Sequence, residues 1–95
     1  MQLQDLKSQL TLVFPVRIDC EERRENLRVV LRQLDGLGCR MLVLEADAVP
    51  ALGEEAWPDG VEYTFVEDAS KVFHRTRYIN ELLRMAGTEV VGVWD

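Results

Sequence analysis

The chain has 95 residues and a formal net charge of −6, with 47% hydrophobic and 29% charged residues. This length allows one domain, and this composition is typical of a globular protein rather than a disordered chain. The negative charge disfavours a nucleic-acid ligand and an anionic membrane surface, because both attract a basic face.

The sequence predicts neither a membrane span nor a secretory signal. No apolar run approaches the roughly 20 residues that cross a bilayer. Residues 1–10 lack the basic start and the apolar core of a signal peptide. The two cysteines, Cys20 and Cys39, are too few for a disulfide scaffold. We expect them at opposite ends of the sheet, as reduced thiols of a cytoplasmic protein.

The first predicted strand is a continuous apolar run at residues 10–16. Its β-branched members and lack of alternation are typical of a strand buried on both faces. We expect the strand to end near Pro15, because proline has no N–H for the ladder of a central strand. Residues 1–9 are polar and are compatible with a short lead-in helix or a frayed end.

A helix and a second strand are predicted next. The helix follows Asp19 or Cys20, carries an apolar stripe at helical spacing, and is expected to end at a left-handed glycine, Gly36 or Gly38. Residues 41–44 form the second strand. A strand–helix–strand unit of this length predicts two parallel strands joined by a crossover.

The second half of the chain repeats this order after an irregular connection at residues 46–60. Residues 61–66 alternate between apolar and polar side chains, which predicts a strand at the sheet edge. We expect a helix capped by Ser70 and ended by Gly87, then a fourth strand at residues 90–94. The predicted fold is therefore α/β, a mostly parallel four-stranded sheet with covering helices, in a single domain over residues 1–95.

Each predicted strand is followed by acidic residues at its carboxyl end. Ligands of open α/β sheets bind at that edge, near the point where the strand order reverses. Carboxylates there suit hydroxyl groups, N–H donors or a divalent metal, whereas a phosphate requires a metal or the nearby Arg17, Arg75 and Arg77. The alternative is that these acids only cap helices or face solvent. The acids are Asp19, Glu45, Asp47, Glu67, Asp68 and Asp95.

Other catalytic motifs are absent from the sequence. His74 is the only histidine and is more typical of a solvent-facing residue than of a catalytic one. There is no cysteine pair spaced for a metal, no nucleophile motif and no glycine-rich phosphate loop. The lack of GxGxxG after the first strand argues against an ordinary dinucleotide-binding domain.

Three segments resemble the family-2-type glycosyltransferases of the GT-A fold. TLVFPVRID followed by ENL is similar to the family's first strand and helix, and MLVLEAD takes the place of its second strand. FHRTRYINELLRMAGTEVVGVWD, residues 73–95, is similar to the stretch that leads into the family's Asp-x-Asp motif. The subgroup of galactosyltransferase and chondroitin-synthase-like enzymes shares the opening of an aromatic residue and two basic residues.

The resemblance implies a nucleotide site and part of a metal site. Asp47, and with it Glu45, would bind the uracil or the ribose, and Asn80 would lie at the back of the pocket. Asp95 would be the first acid of Asp-x-Asp and a ligand of Mn²⁺ or Mg²⁺. The expected nucleotide-binding residues are Pro15, Val16, Arg17, Asp19, Glu45, Asp47, Arg77, Asn80 and Asp95.

The implied activity is transfer of a sugar from a uridine diphosphate donor to an acceptor hydroxyl, with a divalent metal. Three features depart from the family. The second strand ends in Glu45-Ala46-Asp47 instead of Asp-Asp-Gly-Ser, and the second Asp of the motif would lie beyond residue 95. The acceptor-binding region and the catalytic base, which the family keeps in its C-terminal half, are absent from these residues. We therefore expect the donor-binding half of a larger enzyme, inactive alone, whose partners are a nucleotide-diphosphate sugar and a missing C-terminal half.

Two alternatives stay open. One is a non-catalytic α/β interaction module that self-associates through an apolar sheet face. The other is a receiver-like or flavodoxin-like domain, which fits the acids but lacks the lysine of the first class and the phosphate loop of the second.

Overall fold

The computed structural model describes residues 9–94, which form four strands and two helices. All four strands are parallel and lie in the order β3-β2-β1-β4. This confirms the predicted α/β class, and the sheet is fully parallel and Rossmann-like. The elements are β1 (Leu10–Val16), α1 (Glu21–Asp35), β2 (Arg40–Asp47), β3 (Val61–Glu67), α2 (Arg75–Ala86) and β4 (Val90–Val93).

The two helices cover opposite faces of the sheet. Alternate side chains of β2 point to opposite faces, so Met41 and Val43 pack in the cluster that contains Leu31 of α1. Leu42 and Leu44 pack on the other face with α2. Both faces of β2 are therefore buried, which explains its uninterrupted apolar run. The α2 side chains in this core are Tyr78, Leu82 and Ala86.

Three strands extend further than predicted, and β3 does so by one residue, to Glu67. β1 continues through Pro15, which is opposite Leu44 of β2, to Val16. The proline is tolerated because β4 pairs with β1 only as far as Val13, so no strand on that side requires its N–H. β2 continues to Asp47, so Glu45 lies within the strand rather than after it.

The structure decides between two predicted ends for α1 and corrects the predicted start of α2. α1 ends at Gly36, which is right-handed (φ −63°), and the left-handed glycine is Gly38 (φ 74°). α2 starts at Arg75, with His74 as its N-cap, instead of after Ser70, because Arg17 binds the Ser70 carbonyl that would accept the first helical N–H. Gly87 ends α2 in the left-handed conformation (φ 65°), as predicted.

Cys20 precedes α1 and is exposed, whereas Cys39 precedes β2 and is buried, and both are free thiols as expected. Neither of the two helices described is long and apolar enough to cross a membrane. The polar start of the chain and Asp95 lie outside the described residues.

Candidate functional site

An open cleft lies where the strand order of the sheet reverses. From β1 the chain proceeds to β2 and β3 on one side, and β4 then lies on the other side of β1. The cleft lies beside the carboxyl ends of β1 and β4 and has a volume of about 770 Å³. α1 forms one wall, and the connection before α2 forms the other. This is the ligand position of open parallel sheets.

Apolar and aromatic side chains line part of the cleft. Phe14 is buried at the end of β1, and its ring centroid lies 6.3 Å from that of Trp94, with a tilted geometry. Leu27 and Val30 of α1 also line the cleft. Trp94 is 42% exposed, so its ring is accessible to a ligand. Surfaces of this kind bind the flat, partly apolar rings of small molecules.

The charged side chains around the cleft are mostly cationic. Four cations and one acid, Asp19, line it among the described residues. Asp19 is already paired with Arg23, at 3.0 Å between Oδ1 and Nε. A net positive lining in a chain of net charge −6 favours an anionic ligand at this place. The cations are Arg17, Arg23, Lys71 and Arg75.

Arg17 fixes the edge of the sheet next to the cleft. Its Nε donates to the carbonyl of Ala46 at the end of β2 (2.8 Å). Nη1 donates to the carbonyl of Ser70 (2.7 Å), and Nη2 donates to that of Asp68 (3.2 Å). The guanidinium carbon also lies 5.6 Å from the ring centroid of Phe73, a cation–π contact. Arg17 therefore joins the carboxyl ends of three segments and places a positive charge in the cleft wall.

Asp68 anchors the connection between β3 and α2. It accepts hydrogen bonds from the Tyr78 hydroxyl and from the Ser70 N–H (2.9 Å). The bond from Tyr78 is the largest cause that holds the pKa of Asp68 well below its usual range. The bonds from Ser70 and the charge of Arg17 lower it further. Burial and the same bond raise the pKa of Tyr78.

Glu45 is fully buried and supports the connection after β2. Its carboxylate accepts hydrogen bonds from the N–H groups of Ala51 (2.8 Å) and Leu52 (3.1 Å) and from the Tyr63 hydroxyl (2.5 Å). Burial, and then the bond to Glu45, raise the pKa of Tyr63. Glu45, which the resemblance predicted to bind the base or the ribose, instead orders the connection at residues 48–60.

The remaining predicted residues fall in different places. Pro15, Val16, Arg17 and Asp19 line the cleft. Asp47 is partly buried at the end of β2, where its Oδ1 accepts the Ala48 N–H (2.7 Å). Exposed residues of α2 that lie outside the cleft lining are Arg77 and Asn80. His74 precedes α2 and is also exposed. Asp95 lies outside the described residues.

The strand-end acids therefore do not form a ring around the cleft. Only Asp19 of those described lines it, and the cations dominate instead. The site prediction did not include Arg23, Lys71, Phe73 or Trp94. These residues could have been predicted from their positions in the sequence. They lie in the connections and helix starts that follow β1 and β3, or at the end of β4.

The metal expected from the resemblance has no donor set in the described part of the chain. Residues 9–94 contain no group of three or more histidine, cysteine, aspartate or glutamate side chains arranged to hold a metal ion. The side chains present supply charge for an anion, and the acids near them are already paired.

Comparisons with known proteins do not assign the chain to a family. No protein-family model matches the sequence, no curated protein is detectably similar to it, and no solved structure matches its fold.

Proposed function

We propose that the chain is the nucleotide-sugar-binding portion of a glycosyltransferase, with a uridine diphosphate sugar as the ligand of the cleft. The observation that carries the proposal is the cationic cleft at the strand-order reversal. Its cations suit the diphosphate, and its accessible Trp94 offers a flat surface to the base or the sugar. The choice of a uridine diphosphate sugar as the donor comes from the resemblance of three segments to GT-A glycosyltransferases.

In this role, the described residues bind and orient the donor. The cations lower the electrostatic cost of a diphosphate approaching an acidic chain. Arg17 and Asp68 fix the β3–α2 connection, which forms one wall of the cleft. In the family that the segments resemble, the acceptor site and the catalytic base belong to the C-terminal half, and we propose a cytoplasmic location for this protein. A divalent metal of the intact enzyme would supply charge to the departing diphosphate.

Nuclear magnetic resonance of the two tryptophan indole N–H groups tests the proposal. Trp94 lines the cleft, whereas Trp57 lies outside it, stacked on Tyr63 at 5.3 Å between centroids. Titration with UDP-galactose should shift the Trp94 signal and leave that of Trp57 in place. The titration is repeated with Mn²⁺, with broadening by Mn²⁺ alone as the reference. An unchanged Trp94 signal at about 5 mM donor in both series would contradict the proposal. The Kd would then exceed about 1 mM, which corresponds to a binding free energy of less than ~4 kcal/mol.

A second candidate function is an interaction module that associates with a second copy of the chain. The observation in its favour is the outer strand β4, which pairs with β1 alone within residues 9–94. Val90 and Val93 are 42% and 43% exposed on this strand, and Trp94 follows them. An uncovered strand edge with apolar side chains can pair with another chain.

A further inference from the structure

We infer that the diphosphate of the ligand is bound directly by Arg23, Lys71 and Arg75, and that this binding does not require a divalent metal. The inference rests on the proposed function and names the groups that neutralise the charge of the donor. Its structural basis is the placement of these cations on two walls of one cleft. Arg23 belongs to α1, and Lys71 and Arg75 belong to the β3–α2 connection and the start of α2.

The lining has the charge and chemistry for a diphosphate. With Arg17, the lining cations outnumber the one lining acid by three charges among the described residues. Guanidinium groups bind phosphate oxygens with two parallel hydrogen bonds, and an ammonium group binds them as a point charge. Arg23 holds the Asp19 carboxylate by one contact, between Nε and Oδ1 at 3.0 Å, which shows that its guanidinium can reach an anionic oxygen beside the cleft.

The wall that carries Lys71 is fixed before any ligand arrives. Ser70 is held through its carbonyl by Arg17 and through its N–H by Asp68. Phe73 lies under the Arg17 guanidinium and stacks on Tyr78, at 5.6 Å between ring centroids. Lys71 thus lies in a short connection anchored on both sides, which reduces the ordering that binding would otherwise require.

The described acids near the cleft are already engaged. Asp19 pairs with Arg23, Asp68 accepts from Tyr78 and Ser70, and Glu45 is buried against three donors. Asp19 is the one acid of the described lining, so a metal in the cleft would gain at most one carboxylate from the lining residues among 9–94.

Calorimetric titration of the whole chain with UDP-galactose tests the inference. Binding should be equal in EDTA and in Mn²⁺, and should weaken as the salt concentration rises. Arg23→Gln and Lys71→Gln should each raise Kd by about fivefold, as expected for one partly exposed charged contact. Arg84→Gln is the matched control, because Arg23 and Arg84 are both exposed helix arginines (66% and 72%) paired with an acid, and Arg84 lies outside the cleft. It should leave Kd unchanged.

Two further ligands separate the inference from the proposed function. Uridine should bind much more weakly than UDP if the cations carry the affinity, and equal binding of the two would overturn the inference. A Kd that depends on Mn²⁺, or that both glutamine variants leave unchanged, would also overturn it while the donor function stands. If inorganic pyrophosphate binds as tightly as UDP-galactose and competes with it, the phosphate inference stands and the nucleotide-sugar function fails.

Discussion

At the scale of single residues, Arg17 and Asp68 fix the edge of the cleft, and Glu45 fixes a connection outside it. Arg17 bonds to backbone carbonyls that lie 29, 51 and 53 residues away in sequence. Asp68 joins the end of β3 to Tyr78 in α2. Glu45 orders the connection after β2 from inside the core. Burying a charged group costs free energy unless its hydrogen bonds are made. Each of these three side chains makes two or three hydrogen bonds.

The Asp68 contacts predict a pH dependence of stability. Because the folded-state pKa of Asp68 is lowered, its contribution is present above the unfolded value, about 3.9, and is lost as the pH falls through the folded value. Asp68→Asn should therefore be less stable than the wild type at about pH 7, and the difference should narrow as the pH falls from about 5 toward 2. Urea unfolding of both proteins across this pH range measures the difference in their free energies of unfolding.

Asp59→Asn is the control for this series. Asp59 is an exposed aspartate of the β2–β3 connection, so its substitution should change stability little at any pH. A difference between Asp68→Asn and the wild type that stays constant with pH would show that the Asp68 charge does not matter. Tyr78, whose pKa is raised, stabilises the fold below about pH 10 and loses that contribution as the pH rises further.

At the scale of elements, the helices end by different means. α1 ends at the right-handed Gly36 and turns left-handed only at Gly38, after the N–H groups of Leu37 and Gly38 have bonded to carbonyls in the last turn. α2 ends directly at the left-handed Gly87. Arg40 then donates to the carbonyls of Met85 (3.1 Å) and Ala86 (2.6 Å), which supplies a positive charge at the negative end of the helix dipole.

These ends predict opposite effects for two glycine-to-alanine substitutions. Gly87→Ala should destabilise the chain by about 1 kcal/mol, because a side chain is strained at positive φ even though no heavy atom lies within 4 Å of the new Cβ. Gly36→Ala should be neutral or stabilising by about 0.5 kcal/mol, since φ is −63° and the new Cβ meets only the Gln33 carbonyl oxygen, at 3.6 Å. Equal losses in urea unfolding would contradict this assignment of the helix ends.

At the scale of the whole molecule, the sheet has two unlike edges. β3 lies at one edge, and its Glu62 pairs with Arg40 of the neighbouring β2 (2.8 Å). β4 lies at the other edge, next to the cleft, with exposed Val90, Val93 and Trp94. Charged side chains protect an edge strand from pairing, and β4 presents none along its length. The cleft and the uncovered edge therefore adjoin each other at Trp94.

The uncovered edge predicts concentration-dependent association of the interaction module. Val93→Lys places a charge on β4 and should shift sedimentation toward the monomer, without loss of the folded spectrum. Val49→Lys is the matched control, because Val49 is 69% exposed on the connection after β2, away from this edge. A wild-type chain that stays monomeric at about 100 μM, where contacts weaker than ~5.5 kcal/mol dissociate, would contradict the second candidate function.

The sequence by itself determined the element types, their order and the α/β class. Apolar runs, helical spacing and glycine positions are local signals, and they located β1 and the end of α2 closely. The strand–helix–strand unit predicted that β1 and β2 are parallel, whereas β2 and β3 are parallel across an irregular connection that has no helix. The local signals misplaced the start of α2, because Arg17, which is 53 residues away in sequence, binds the Ser70 carbonyl that would accept the first helical N–H.

Only the tertiary structure decided which strand-end residues meet a ligand. The order β3-β2-β1-β4 places the reversal beside β1 and β4, and there Arg17, Arg23 and Lys71 outweigh Asp19. The sequence showed acids after every strand, but it could not show that Glu45 is buried, since that depends on Tyr63 and on the folded connection. Long-range packing sets which charges reach the cleft, and a pattern local in sequence carries no information about such distant partners.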